Sequence, residues 1–166
     1  MFISSGIVDA INSLPNGIKK NEQAIAETIE NNVHQKIIKE HLIDPAFFEE
    51  MSKLLAEIIK ERKTKAINYK KYLEKIEVLA EKVKKGVTEQ APNEINTLAL
   101  KALYNNLNKN KELAIQIDKA VKKSKPDNWR GHQARENAIK MEINKILNNI
   151  NEVERIFKII KKQSEY

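Results

Sequence analysis

Asp44-Pro45-Ala46-Phe47-Phe48-Glu49-Glu50-Met51-Ser52-Lys53-Leu54-Leu55-Ala56-Glu57-Ile58-Ile59 is the stretch that sets the fold class. An Asp side chain accepts hydrogen bonds from the open N–H groups of a first helical turn, and Pro suits the first helical position, where its missing N–H is not needed. Phe47, Phe48, Met51, Leu54, Leu55, Ile58 and Ile59 then recur at steps of three and four, which places them on one helical face. This is the cleanest amphipathic pattern in the chain.

The same period extends in both directions. Upstream, Ser4 is placed to cap a short helix with Ile7, Val8, Ile11 and Leu14, which Leu14-Pro15-Asn16-Gly17 breaks. A helix is expected from about Ile18 to Leu42, with Ile25, Ile29, Val33 and Ile37 as its core stripe and Ala26 and Ile38 beside them. Downstream, Tyr69, Tyr72, Leu73, Ile76, Leu79, Ala80 and Val83 mark a helix that Gly86 ends. Val87 to Pro92 reads as a loop, and Asn93 is placed to cap a helix with Leu98, Ala99, Ala102, Leu103 and Leu107. The Asn-rich run 105–110 predicts a turn. Leu113, Ala114, Ile117, Ala120 and Val121 form the next face; Ile139, Ile143, Ile146, Leu147 and Ile150 another; Val153, Ile156, Phe157 and Ile160 the last. Glu136/Lys140 and Glu154/Lys158 are spaced as i,i+4 ion pairs. The expected fold is all-α, an irregular bundle or array of about eight amphipathic helices. A boundary near 84–93 divides it into an N-terminal half, 1–86, and a C-terminal half, 87–166.

Composition agrees with this. Of 166 residues, 41% are hydrophobic, enough for a real core, and only 5% are aromatic, which favours helix over sheet. There is no Cys, which excludes disulfides and thiolate metal sites and fits a reducing cytoplasm. The first residues carry no basic, apolar leader pattern, and no apolar run approaches the ~20 residues that span a bilayer, so no membrane partner is expected. The net charge of +7 is unevenly placed: residues 119–166 hold 12 Lys/Arg against 6 Asp/Glu, hence +6. A second basic stretch runs from Lys60 to Lys75 and includes Lys63 and Lys70. Such stripes meet phosphates or acidic partners, or are solvated helix faces.

Catalytic patterns are hard to find. Gly6, Gly17, Gly86 and Gly131 are too scattered to cradle a phosphate. Glu61-Arg62-Lys63 matches a nuclease-like Glu-x-Lys string, but positions two apart on a helix point to different faces. Glu30, His34 and His41 share a helix face and would suit a metal, although a half-exposed structural role reads as well. His132 would meet phosphate when protonated or serve as an ordinary surface side chain. No catalytic residue, resident cofactor or metal site is assigned.

Lys125-Pro126-Asp127-Asn128-Trp129-Arg130-Gly131 holds the only Trp, between two helical patterns. On one reading Trp129 is a structural anchor packed between helices, Gly131 permits the turn, and Arg130 caps carbonyls or pairs with an acid. On the other, Lys122, Lys123, Lys125, Arg130 and Arg135 form a basic lip for DNA or a partner, with Lys63 and Lys70 as further contact candidates.

The blocks Leu14-Pro15-Asn16-Gly17-Ile18-Lys19-Lys20-Asn21, Ala26-Glu27-Thr28-Ile29-Glu30-Asn31-Asn32-Val33, Asp44 to Ser52, and Tyr69-Lys70-Lys71-Tyr72-Leu73, followed by Asp127-Asn128-Trp129-Arg130-Gly131 and Val153-Glu154-Arg155-Ile156-Phe157, resemble the C-terminal helical region of the R subunit of type I restriction enzymes. The resemblance covers nearly all of the chain from about residue 14. His34 departs from it, since Arg is expected after Asn-Asn-Val. The resemblance implies a parent subunit that is an ATP-dependent, site-specific deoxyribonuclease and DNA motor, whose ATP and Mg sites lie in upstream nuclease and RecA-like domains. It implies modification and specificity subunits and duplex DNA as partners. This region would be a non-catalytic assembly module that docks the motor/nuclease subunit on the methyltransferase core and guides DNA. The alternatives are a free-standing helical protein that binds the DNA backbone, and a free-standing helical protein with an enzymatic site not singled out above, which ordered metal at Glu30, His34 and His41 would support.

Overall fold

A computed structural model describes residues 11–86 and 91–166. They form eight helices and no strand among the described residues: α1 (Asn16–Lys19), α2 (Glu22–Glu40), α3 (Pro45–Lys63), α4 (Tyr69–Lys85), α5 (Leu98–Asn106), α6 (Lys111–Ser124), α7 (Gln133–Leu147) and α8 (Ile150–Lys162). The protein is all-α. No helix among the described residues is long and apolar enough to cross a membrane.

Asparagine sets many of the boundaries. Asn21, Asn68, Asn110 and Asn149 each accept a backbone N–H in the first turn of α2, α4, α6 and α8. A short side-chain carbonyl satisfies donors that the helix itself cannot. Two expected boundaries move for this reason. The helix expected over 18–42 is two pieces, because Asn16-Gly17 lies inside a short turn of its own and Asn21 starts a new helix with bonds from Gln23 N and Ala24 N. Ile150 opens α8 rather than closing α7, because Asn148 turns left-handed at φ 47° and Asn149 caps the last helix. The cap of α5 is Thr97, not Asn93; its hydroxyl accepts Leu100 N–H. Residues 4–10 of the short helix expected from Ser4, and most of the loop 87–92, lie outside the described residues; Ile11 and Asn12 are helical and Leu14 is buried.

The chain divides into two compact units. The first takes the described residues 11–41 and 48–86. Ile25, Ile29, Val33 and Ile37 of α2 are all buried there, as are Met51 and Leu55 of α3 and Tyr72, Ile76, Leu79 and Val83 of α4, whereas Ile38 is 57% exposed. Polar bonds tie the helices: the Tyr72 hydroxyl donates to Ala26 O at 3.2 Å, and Arg62 holds both oxygens of Glu30 at 2.7 and 3.0 Å. Gly86 ends α4 at φ 68°, a left-handed backbone that glycine adopts without steric cost.

The second unit takes 42–47 and the described residues from 91 on. Each of its helices α5 to α8 packs on the next, and α8 returns to α5, closing a four-helix arrangement. Its core includes Leu103, Ile117, Ile139, Ile143, Ile156 and Ile160, all essentially sealed from solvent. The charges expected to pair along α7 and α8 pair across them instead: Glu136 with Lys161, and Lys140 with Glu154. Lys140 also lies 4.8 Å from the centre of the Phe157 ring. The two-residue turn at 148–149 folds α8 back along α7, so cross-helix partners lie nearer than those one turn away.

Candidate functional site

The Trp129 loop is built by satisfying backbone. Trp129 is 3% exposed and meets Phe157 edge-on, with ring centres 5.7 Å apart. Its indole N–H donates to no group among the described residues, and the ring serves packing. Arg130 stacks 4.4 Å over that ring and donates to Lys161 O at 3.1 Å and Gln163 O at 2.5 Å, the open carbonyls at the end of α8. Arg135 reaches back to Asp127 O at 2.7 Å and Asn128 O at 3.3 Å. Gly131 sits at φ 82° with open space where a Cβ would stand, so its requirement is conformational; its N–H donates to Glu136. Lys161 beside Glu136, with that N–H, holds the Glu136 carboxyl below its usual range.

The candidate cations therefore fall into two groups. Arg130 and Arg135 hold main-chain carbonyls, and Lys122 pairs with Asp118 at 2.9 Å. Lys123 and Lys125 are exposed, and no ion pair within the described residues engages them. The same is true of Lys63 at the end of α3 and Lys70 at the start of α4. Among the described residues no cluster of three or more metal-ligating side chains forms, and Glu30, one of the three expected there, is occupied by Arg62 while His34 and His41 are exposed. Within the Glu61-Arg62-Lys63 string, Glu61 pairs with Lys75 at 2.5 Å and Arg62 with Glu30. His132 stands at the N-cap of α7 without a side-chain bond to the helix.

A concave surface that the sequence did not single out lies in the second unit. A groove of about 590 Å³ runs between residues 42–45 and the outer side of α8. Leu42, Pro45 and Ile159 supply its apolar lining, and Arg155, Lys158 and Lys162 are among its cations. Its wall is fixed by Asp44. That buried carboxylate accepts Phe47 N–H at 3.3 Å, Asn105 Nδ2 at 2.7 Å and Asn106 Nδ2 at 2.6 Å, while Asn106 Oδ1 accepts Ala46 N–H. Burial pushes the Asp44 carboxyl up from 3.8 to about 6, against the three amide donors that favour its charge. Gln163 donates to Ile43 O at 2.8 Å and pins the same segment to the end of α8. Arg155 donates to Asn106 O and pairs with Glu152. Lys158 and Lys162 are exposed, one turn apart, without an ion pair among the described residues.

The residues after α8 are also held. Glu165 accepts Ala99 N–H at the start of α5, and the buried Tyr166 hydroxyl donates to Asp118 at 2.6 Å. Burial and the Asp118 charge push that phenol well above its ordinary range. No family model matches this chain, and neither the search of curated proteins nor that of solved structures finds a match.

Proposed function

We propose that the chain is a helical assembly module that joins a DNA-motor and nuclease subunit to a methyltransferase core, the role that its resemblance to type I restriction R subunits implies. The observation that carries a docking role is the preformed groove of the second unit, where an apolar lining lies beside two lysines with no internal partner among the described residues. Interfaces pair an apolar centre with a charged rim, and a wall already fixed by hydrogen bonds has little ordering left to lose on binding. ATP hydrolysis and metal-dependent cleavage belong, on this reading, to upstream domains of the parent subunit. The test is gel filtration of the full chain with the assembled modification and specificity subunits. Co-elution is expected. Failure to associate, with assembly of the parent subunit unaffected by deletion of this region, contradicts the proposal.

A second reading, backbone-directed DNA binding, draws on the exposure of Lys123 and Lys125. It expects weak, sequence-independent affinity for duplex DNA that falls steeply with salt. Binding undetectable at low ionic strength sinks it.

A further inference from the structure

We propose that the groove between residues 42–45 and α8 receives an acidic amphipathic helix from a partner protein. This deepens the docking reading by naming the surface and the chemistry of the segment that fills it; it rests on that reading only for the partner's identity.

The charge of the groove selects the occupant. Among the described residues its cations are Arg155, Lys158, Lys161 and Lys162, and its one lining acid is Glu154. Lys140 already neutralises Glu154, Glu136 takes Lys161, and Glu152 takes Arg155. Among the described residues the uncompensated charge is then that of Lys158 and Lys162, on one face of α8 at a spacing of one turn. Carboxylates at i and i+4 of an incoming helix match that spacing. The negative end of the α8 dipole, which would oppose an acidic ligand, is answered by Arg130 on the Lys161 and Gln163 carbonyls.

The apolar lining argues for protein rather than phosphate. Leu42 is 62% exposed, and a lone exposed leucine means little. Here it stands with Pro45 and Ile159 in a concavity sized for a few side chains of a helix laid in a groove. A DNA backbone would engage the lysines and leave that lining wet. The site is also preformed, because Asp44, Asn106 and Gln163 already hold the wall.

The test uses the full chain and two synthetic helical peptides of about five turns with the same leucine stripe. One carries Glu at the remaining positions and the other Lys; fluorescence anisotropy is read at low salt, with a duplex oligonucleotide as competitor. The Glu peptide is expected to bind at least roughly tenfold more tightly than the Lys peptide. Lys158→Glu together with Lys162→Glu should weaken it roughly tenfold, as should Leu42→Asp, with the helical circular dichroism unchanged because all three side chains are exposed. Equal affinity for the two peptides, no effect of these substitutions, or displacement of the Glu peptide by the duplex would overturn the proposal. Its fate separates from that of the docking reading. If the Lys158→Glu, Lys162→Glu chain still co-elutes with the modification and specificity subunits as wild type does, the groove is wrong and docking stands. If wild type does not co-elute yet the Glu peptide binds as described, docking is wrong and the groove stands.

Discussion

The Trp129 loop and the outer side of α8 are both rich in cations, and they use them in opposite ways. In the loop, Arg130 and Arg135 are spent on four carbonyl oxygens: Lys161, Gln163, Asp127 and Asn128. On α8, Lys158 and Lys162 project from the helix with no partner among the described residues. Arginine beside a helix end or a tight turn finds oxygens that need donors, and its planar fork serves two at once. Lysine on a continuous helix finds its own carbonyls already bonded. A cluster of positive residues is therefore a candidate contact surface only after the local backbone has taken its share.

The largest effect that separates the two regions is on folding. Trp129→Ala should cost the second unit about 3–5 kcal/mol in urea unfolding, because it empties a sealed site against Phe157. A loss under about 1 kcal/mol would mean that the loop is not the anchor described.

The groove wall should respond to pH. Asp44 titrates near 3.8 when unfolded and about 6 when folded, so the folded state holds the extra proton between those values. Stability from this group is present below pH 4 and lost as pH rises through 6, by up to roughly 3 kcal/mol at about 1.4 kcal/mol per unit. Asp44→Asn should flatten this part of the stability–pH curve; an unchanged slope places its origin elsewhere.

Arg130→Met should cost about 1–2 kcal/mol by unbonding the end of α8, and leave any duplex DNA affinity unchanged. A clear loss of DNA affinity at unchanged stability would reverse the contrast. Lys123→Glu with Lys125→Glu should move stability by no more than about 0.5 kcal/mol, since both side chains are exposed and neither forms an ion pair among the described residues.

Much of the fold can be read directly from the chain. The stripe Ile25, Ile29, Val33, Ile37 is buried as its period requires, the Asp44-Pro45 start caps α3, and Gly86 ends α4. What the period cannot show is which of several Asn or Thr residues takes a cap. Thr97 and Asn93 are both competent, and only the path of the chain selects Thr97. Ion pairs are equally hidden: Glu136 and Lys140 suit each other along a helix, but α8 brings Lys161 and Glu154 closer. The groove was illegible because its walls, 42–45 and 151–162, are more than a hundred residues apart. The one local signal was the spacing of Lys158, Lys161 and Lys162 on the last helix, merged in the sequence with the basic excess of residues 119–166 as a whole.

The most direct test of docking through the groove is co-elution of the wild-type chain, and of the chain carrying Lys158→Glu and Lys162→Glu, with the assembled modification and specificity subunits. A complex is expected for wild type and its loss in the variant, with both chains equally folded. Equal complex formation by the two, or none by either, would contradict that claim.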